Sequence, residues 1–382
     1  MLDDNSGRGA VAFAWIDGVG VMNADIKAVR EKLSDITGDS MLISINVGAT
    51  HTHSGIDTQG LWGNIPNSGR DDKYMDVVIE KTADAIRTAY NNRTEGQLYY
   101  VSQACPELFA DTREPYSIDE NIHLFRFVPD DTDKNEIYIT NFGAHPVNID
   151  YDDTRLSGDF PYYVEQAVNK DKNADFVFIQ GAIGGGIYAD MGEDNGISAE
   201  LTSYEKMKEY SLIVADVLYN LAENGERVEP ILNIVHRHID FEINNFIFKL
   251  VERAGLCNAT AFVEDGTVYM SSEIGYLEIG KNIKVLQVPG EVMPEIVYGG
   301  FYSAEESYNG TEYPYDALIT NFSEDDEVLV FGLCNDAVGY LVPDNDYSSS
   351  GEGHYEETVS TGSKSATALS KAFHGLLAEY NN

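Results

Sequence analysis

The apolar run Met41-Leu42-Ile43-Ser44-Ile45-Asn46-Val47 leads into Thr50-His51-Thr52-His53-Ser54-Gly55, and this junction constrains the fold more than any other stretch. A short apolar run of this kind reads as a mostly buried β-strand. Side chains alternate along an extended segment, so His51 and His53 are expected on one side at the strand's mouth. Paired imidazoles there suit a metal site, one nitrogen binding the ion while its neighbour handles protons. Alone, a His-x-His is a weak signal. The chain has a second, His236-Arg237-His238, where His236, His238, Asp240 and Glu242 lie opposite Val235, Ile239, Phe241 and Ile243. That arrangement is a half-exposed strand face.

Upstream, Gly9 to Ile16 reads as a first buried strand, followed by a helix to Leu33 that Asn23 or Asp25 is expected to cap. Strand, helix and strand in that order predict a parallel sheet covered on both faces. A Gly-rich loop from Gly55 to Gly69 carries Trp62, and a long helix follows to Tyr90. Further strands are expected at Tyr99–Ala104, Ile122–Val128, Ile137–Phe142 and Phe176–Ile179, with helices at Phe160–Val168 and Tyr204–Ala222. From Ile231 to Val288 the pattern is strand alternation with short turns. Pro289-Gly290-Glu291 is expected to open a helix, Val328–Leu333 to form a strand, and Ser363–Glu379 to close the chain as a helix. The fold class is therefore α/β: one large domain over residues 1–382, with mixed β-sheets flanked by helices and a β-rich segment near 231–288.

At 382 residues, 43% of them hydrophobic, the chain can bury a large core. The net charge of −39 disfavours nucleic acid and anionic membranes as partners. No run of about 18 apolar residues marks an integral membrane segment. Cys105, Cys257 and Cys334 lie far apart and form neither a disulfide framework nor a thiolate metal site. No signal peptide is visible at the start given.

Several polar residues share one placement, each where a buried strand ends: His51 and His53, His145, Glu291 and Tyr340. In α/β folds, strand carboxyl ends converge on the functional crevice. Two histidines, a carboxylate and a tyrosine-filled or open position would make a catalytic zinc site. Tyr340 could be a fourth ligand or a hydrogen-bond donor to an oxyanion.

The motifs Thr50-His51-Thr52-His53-Ser54-Gly55, Gly143-Ala144-His145-Pro146, Ser157-Gly158-Asp159, Pro289-Gly290-Glu291 and Gly339-Tyr340, taken in order, resemble those of the neutral/alkaline (non-lysosomal) ceramidase catalytic domain. The resemblance spans roughly residues 8 to 357. It implies a zinc-dependent amidase that cleaves the N-acyl bond of a ceramide-like lipid, with Zn²⁺ bound by His51, His145, Glu291 and Tyr340. It places His53 beside the attacking water, and Arg113 and Tyr355 among the catalytic residues. It also implies a small-molecule or lipid substrate and a secreted or cell-surface location, with a cytoplasmic one as the alternative; oligomeric state stays open.

The chain departs from the pattern in three places. Gln180-Gly181-Ala182-Ile183-Gly184-Gly185-Gly186 replaces an Asn-Gly-Asp-type loop, without its aspartate, so that Gly181 stands at the place of a serine tied to catalysis or substrate binding. Ala337 stands where a tyrosine is usual, and a Ser/Gly insert occupies 348–353. By the resemblance, the stretch given is expected to lack counterparts of the family's first strand and its C-terminal immunoglobulin-like domain. These changes open the substrate to other amides or esters, and leave a binding relative with weakened catalysis as a rival. Trp62, with Phe301 and Tyr302, is a candidate for an acyl groove. A metallo-β-lactamase site is excluded, since Gly55 and Ile56 fall where its Asp-His would be.

Overall fold

Alternation along the strands sets the layers of this protein. The computed structural model describes residues 1–63, 66–348 and 355–381. In strand Asn121–Pro129, Ile122 and Leu124 face one core while Phe125 faces another. In Thr267–Ile279, Tyr276 faces one side, and Leu277 and Ile279 the other. Period-two alternation of this kind lets a sheet carry apolar cover on both faces.

Two mixed sheets use it. The first has the order Asp175–Gln180, Ile137–Phe142, Asn121–Pro129, Gly96–Ala104, Glu226–Arg227. The second runs Leu232–Glu242, Thr267–Ile279, Ile283–Gln287, Glu327–Phe331, with Ala261–Glu264 added to the long hairpin strand. Between them Phe125 and Ile179 meet Leu277, Val285, Leu329 and Phe331. Helices Asp159–Lys172 and Ser203–Ala222 cover the outer face of the first sheet through Phe160, Val164, Met207 and Val214. Helix Ser365–Tyr380 covers the second through Leu369, Phe373 and Leu376. The layering is helix, sheet, sheet, helix.

Beside this sandwich, Ala10–Ile16 and Leu42–Ala49 pair in parallel. Helices Asn23–Lys32 and Asp72–Asn91 pack on them through Ile26, Val29, Ile79, Ala83 and Ile86. The Asp71 carboxylate accepts from Lys73 N and Tyr74 N and starts the longer helix.

Three local expectations are corrected. The parallel, doubly covered sheet is confined to parallel pairs inside a largely antiparallel scaffold. Within the strand-like stretch 231–288, Phe246–Arg253 is a helix: Asn245 Oδ1 caps Ile247 N at 2.8 Å, and Phe248 and Val251 bury at helical spacing. Neither Asn23 nor Asp25 caps the first helix. The Asp336 carboxylate does so, accepting from Asn23 N at 2.9 Å, while Asp25 holds the Arg70 guanidinium. The cysteines are unpaired, and among the described residues no helix is long and apolar enough to cross a membrane.

Candidate metal centre

The run 42–49 ends at Ala49, and its last carbonyl-side neighbours knit the site to the adjacent strand: Thr50 N donates to Ile16 O and His51 N to Gly18 O, each at 3.0 Å. His51 has φ 71°, so the His51–His53 segment turns and is not the extended piece expected. The turn still brings the two rings to centroids 4.8 Å apart, with Nε2 to Nε2 at 3.2 Å. His145 follows strand Ile137–Phe142 and is pinned by its own N–H to Ile187 O at 2.9 Å. Glu291 does not open a helix. It begins a two-residue strand, Glu291–Val292, laddered in parallel to Tyr340–Leu341, and the helix starts at Pro294.

His51, His145 and Glu291 are buried and bring one ligand atom each to within 4.8 Å of one another. Glu291 Oε2 lies 3.1 Å from His145 Nε2 and 3.3 Å from His51 Nε2. The far sides of both imidazoles are engaged. Nδ1 of His51 meets Val19 O at 2.6 Å, and Nδ1 of His145 meets Ile187 O at 2.8 Å. A carbonyl only accepts, so each Nδ1 carries the proton, and in the neutral rings both Nε2 lone pairs turn inward to the carboxylate. Inward lone pairs and a buried carboxylate repel unless a cation lies between them. These residues therefore fit a divalent ion.

Without such a cation, a proton held between imidazole and carboxylate takes its place. Burial works against ionised Glu291, yet the facing imidazoles outweigh it and hold the carboxyl well below its ordinary range. Burial likewise opposes charge on His51, and Glu291 outweighs it, so the His51 pKa rises. At His53 burial and repulsion from His51 and His145 act together and drive the pKa down to about 3, keeping that ring neutral. Tyr340 Oη lies 3.3 Å from His145 Nε2. Burial, reinforced by Glu291, raises its phenol well above the usual range, so it remains a hydrogen-bond donor.

Other sequence candidates lie around this centre or apart from it. The Arg113 guanidinium is enclosed by carboxylates: Glu357 Oε1 at 3.0 Å, Glu356 Oε2 at 3.1 Å and Asp346 Oδ2 at 3.4 Å. It thereby fastens helix Tyr355–Thr358, whose first residue, Tyr355, sets its ring 6.2 Å from that of Tyr340. Gly181 is buried, and a Cβ there would meet Gly143 N at 2.7 Å and Phe142 C at 2.8 Å. It serves a close approach of two segments of the backbone. Trp62 stands half in solvent on its loop, Phe301 stacks on Tyr313 at 4.5 Å, and Tyr302 donates to Glu114. His236 bonds Ser44 Oγ at 2.8 Å and His238 pairs with Asp240, as befits a strand face. Residues 64 and 65 of the Trp62 loop, most of the Ser/Gly insert (349–353) and His354 lie outside the described residues.

Asp159 was not given a role by sequence reasoning. It sits at φ 57°, fully buried, and accepts from Asn148 N at 3.0 Å, Asn148 Nδ2 at 2.8 Å and Phe160 N at 2.6 Å. It thus ties the loop after His145 to helix Asp159–Lys172. The signal was present: an acid following Ser-Gly at a helix start.

No family model and no curated protein matches the chain. Solved structures do. The neutral ceramidase from Pseudomonas aeruginosa superposes with a TM-score of 0.68 at 16% identity, covering 96% of this chain and 65% of that one. A structure described as ceramidase complexed with C2 gives 0.70 at 16% identity, covering 96% and 67%. The chain thus has the neutral ceramidase fold and spans about two thirds of the length of these enzymes.

Proposed function

We propose that this protein is a zinc-dependent hydrolase that cleaves the amide bond of a ceramide-like N-acyl lipid. The observation that carries the reading is the buried group His51, His145 and Glu291, with both Nε2 lone pairs aimed at one carboxylate. The likeness in fold to two ceramidases supports the substrate class. Two imidazoles and a carboxylate are the donor set of a catalytic zinc, with Tyr340 beside it as a fourth ligand or a hydrogen-bond donor. Zinc held there supplies a Lewis acid that ionises water near neutral pH and polarises a carbonyl.

The chain's own residues do the rest. His53, neutral and next to the donor set, accepts the proton of the attacking water and passes it to the leaving amine. The Tyr340 hydroxyl, kept protonated, donates to the oxygen on which negative charge develops. Tyr355 borders the same space. Arg113, spent on three carboxylates, acts through the helix it anchors and not on the carbonyl.

The test is release of fatty acid from ceramide and a panel of other N-acyl conjugates, with chelated and zinc-reconstituted protein. Chelation should abolish release and zinc should restore it. Zinc bound at one per chain with no hydrolysis of any panel member would overturn the reading.

A further inference from the structure

Helix Phe246–Arg253 leaves three large apolar side chains in solvent: Phe246 is 77% exposed, Ile247 51% and Leu250 48%. At about 100° per residue they form one stripe, turned away from the buried Phe248 and Val251. Single exposed apolar residues are ordinary, but a stripe filling one face of a short helix is not. Lys249 and Arg253 border the stripe, and among the described residues neither forms an ion pair.

The helix is also joined to the metal centre. Asn245, its cap, donates through Nδ2 to Glu357 O at 2.9 Å, in the short helix that Tyr355 opens. Val359 O, just beyond, accepts from Tyr340 N at 2.9 Å. At the opposite end, Leu256 O accepts from Ser68 Oγ at 2.6 Å, in the loop that presents Trp62. The exposed stripe thus adjoins the segments that carry Tyr340, Tyr355 and Trp62.

We propose that this face docks on the surface of a zwitterionic phospholipid bilayer, Phe246, Ile247 and Leu250 entering the acyl boundary while Lys249 and Arg253 reach lipid phosphates. Amphipathic helices with cations beside the apolar side lie in such interfaces. The chain's overall charge disfavours strongly anionic membranes, so the phosphate of a neutral lipid is the matching counter-charge. The inference rests on the hydrolase reading for its purpose, delivering an acyl lipid to the centre, but not for its test.

Phosphatidylcholine vesicles are sedimented with the whole chain, without substrate. The native protein should pellet with them, and less so with phosphatidylglycerol vesicles at low salt. The double variant F246D/L250D should partition at least about ten-fold less. K249E/R253E should lose several-fold, and both should keep the native thermal unfolding midpoint. A native protein left in the supernatant, or an F246D/L250D variant that pellets normally while folded, would overturn the proposal. Binding to these vesicles, with no fatty-acid release in the separate assay on N-acyl conjugates, would sink the hydrolase reading alone.

Discussion

Glu291 Oε2 and His145 Nε2 stand 3.1 Å apart across 146 residues of sequence, with the backbone of Glu291 laddered to Tyr340. The ladder sets the carboxylate, and the Ile187 carbonyl sets the ring. Together they fix two corners of the donor set before any ion arrives.

Replacing His51 removes the third corner. His51→Ala should lower bound metal from about one per chain to a small fraction of that, read by atomic emission on dialysed protein. Disturbing even the residues behind a metal ligand weakens binding or activity about 10- to 100-fold, so loss of a ligand should exceed that. Normal metal content in the variant would exclude His51 as a ligand.

Asp159→Ala should cost about 2–4 kcal/mol in denaturant unfolding, because Asn148 and Phe160 would lose their buried acceptor. Metal affinity should fall as well, since Asn148 belongs to the loop that follows His145. Asp159→Asn, which keeps an acceptor, should fall between. A variant as stable as the native chain would contradict the positioning role.

Restoring a serine at position 181 should not help. Gly181→Ser places a Cβ against Gly143 N and Phe142 C, and crowding against backbone typically costs about 1–3 kcal/mol. The expected result is a lower denaturation midpoint with no gain in hydrolysis. A gain in rate would show that the strand end rearranges to face substrate.

Stability should also fall as pH rises through the range set by Glu295. Burial pushes this carboxyl up to about 7 from an ordinary 4.5. Between those values the native state keeps a proton the unfolded chain has released, so unfolding becomes easier with rising pH and levels off above about 7. The difference amounts to about 3 kcal/mol. Glu295→Gln should erase this component, seen as a change in the slope of unfolding free energy against pH. Parallel profiles for the two proteins would rule it out.

The sequence made the strand ends readable because buried runs stop abruptly at polar residues: His51 after Val47–Ala49, and His145 after Phe142. It did not show the helix at Phe246, since Phe-Ile-Phe fits a strand as well as a helix and only the Asn245 cap decides. Asp336 capping Asn23 was out of reach for a different reason: the two are 313 positions apart. The surroundings of Arg113 were equally hidden, because its three carboxylates come from segments more than 200 residues downstream. Local pattern reveals where an element ends; which distant group meets it depends on the layers.

The imidazoles of His51 and His145 lean on main-chain oxygens, Val19 O and Ile187 O. Such a brace has no side chain to mutate and no proton to exchange. A main-chain oxygen survives a change of side chain, so replacements at positions 19 and 187 that leave the backbone in place leave both braces standing.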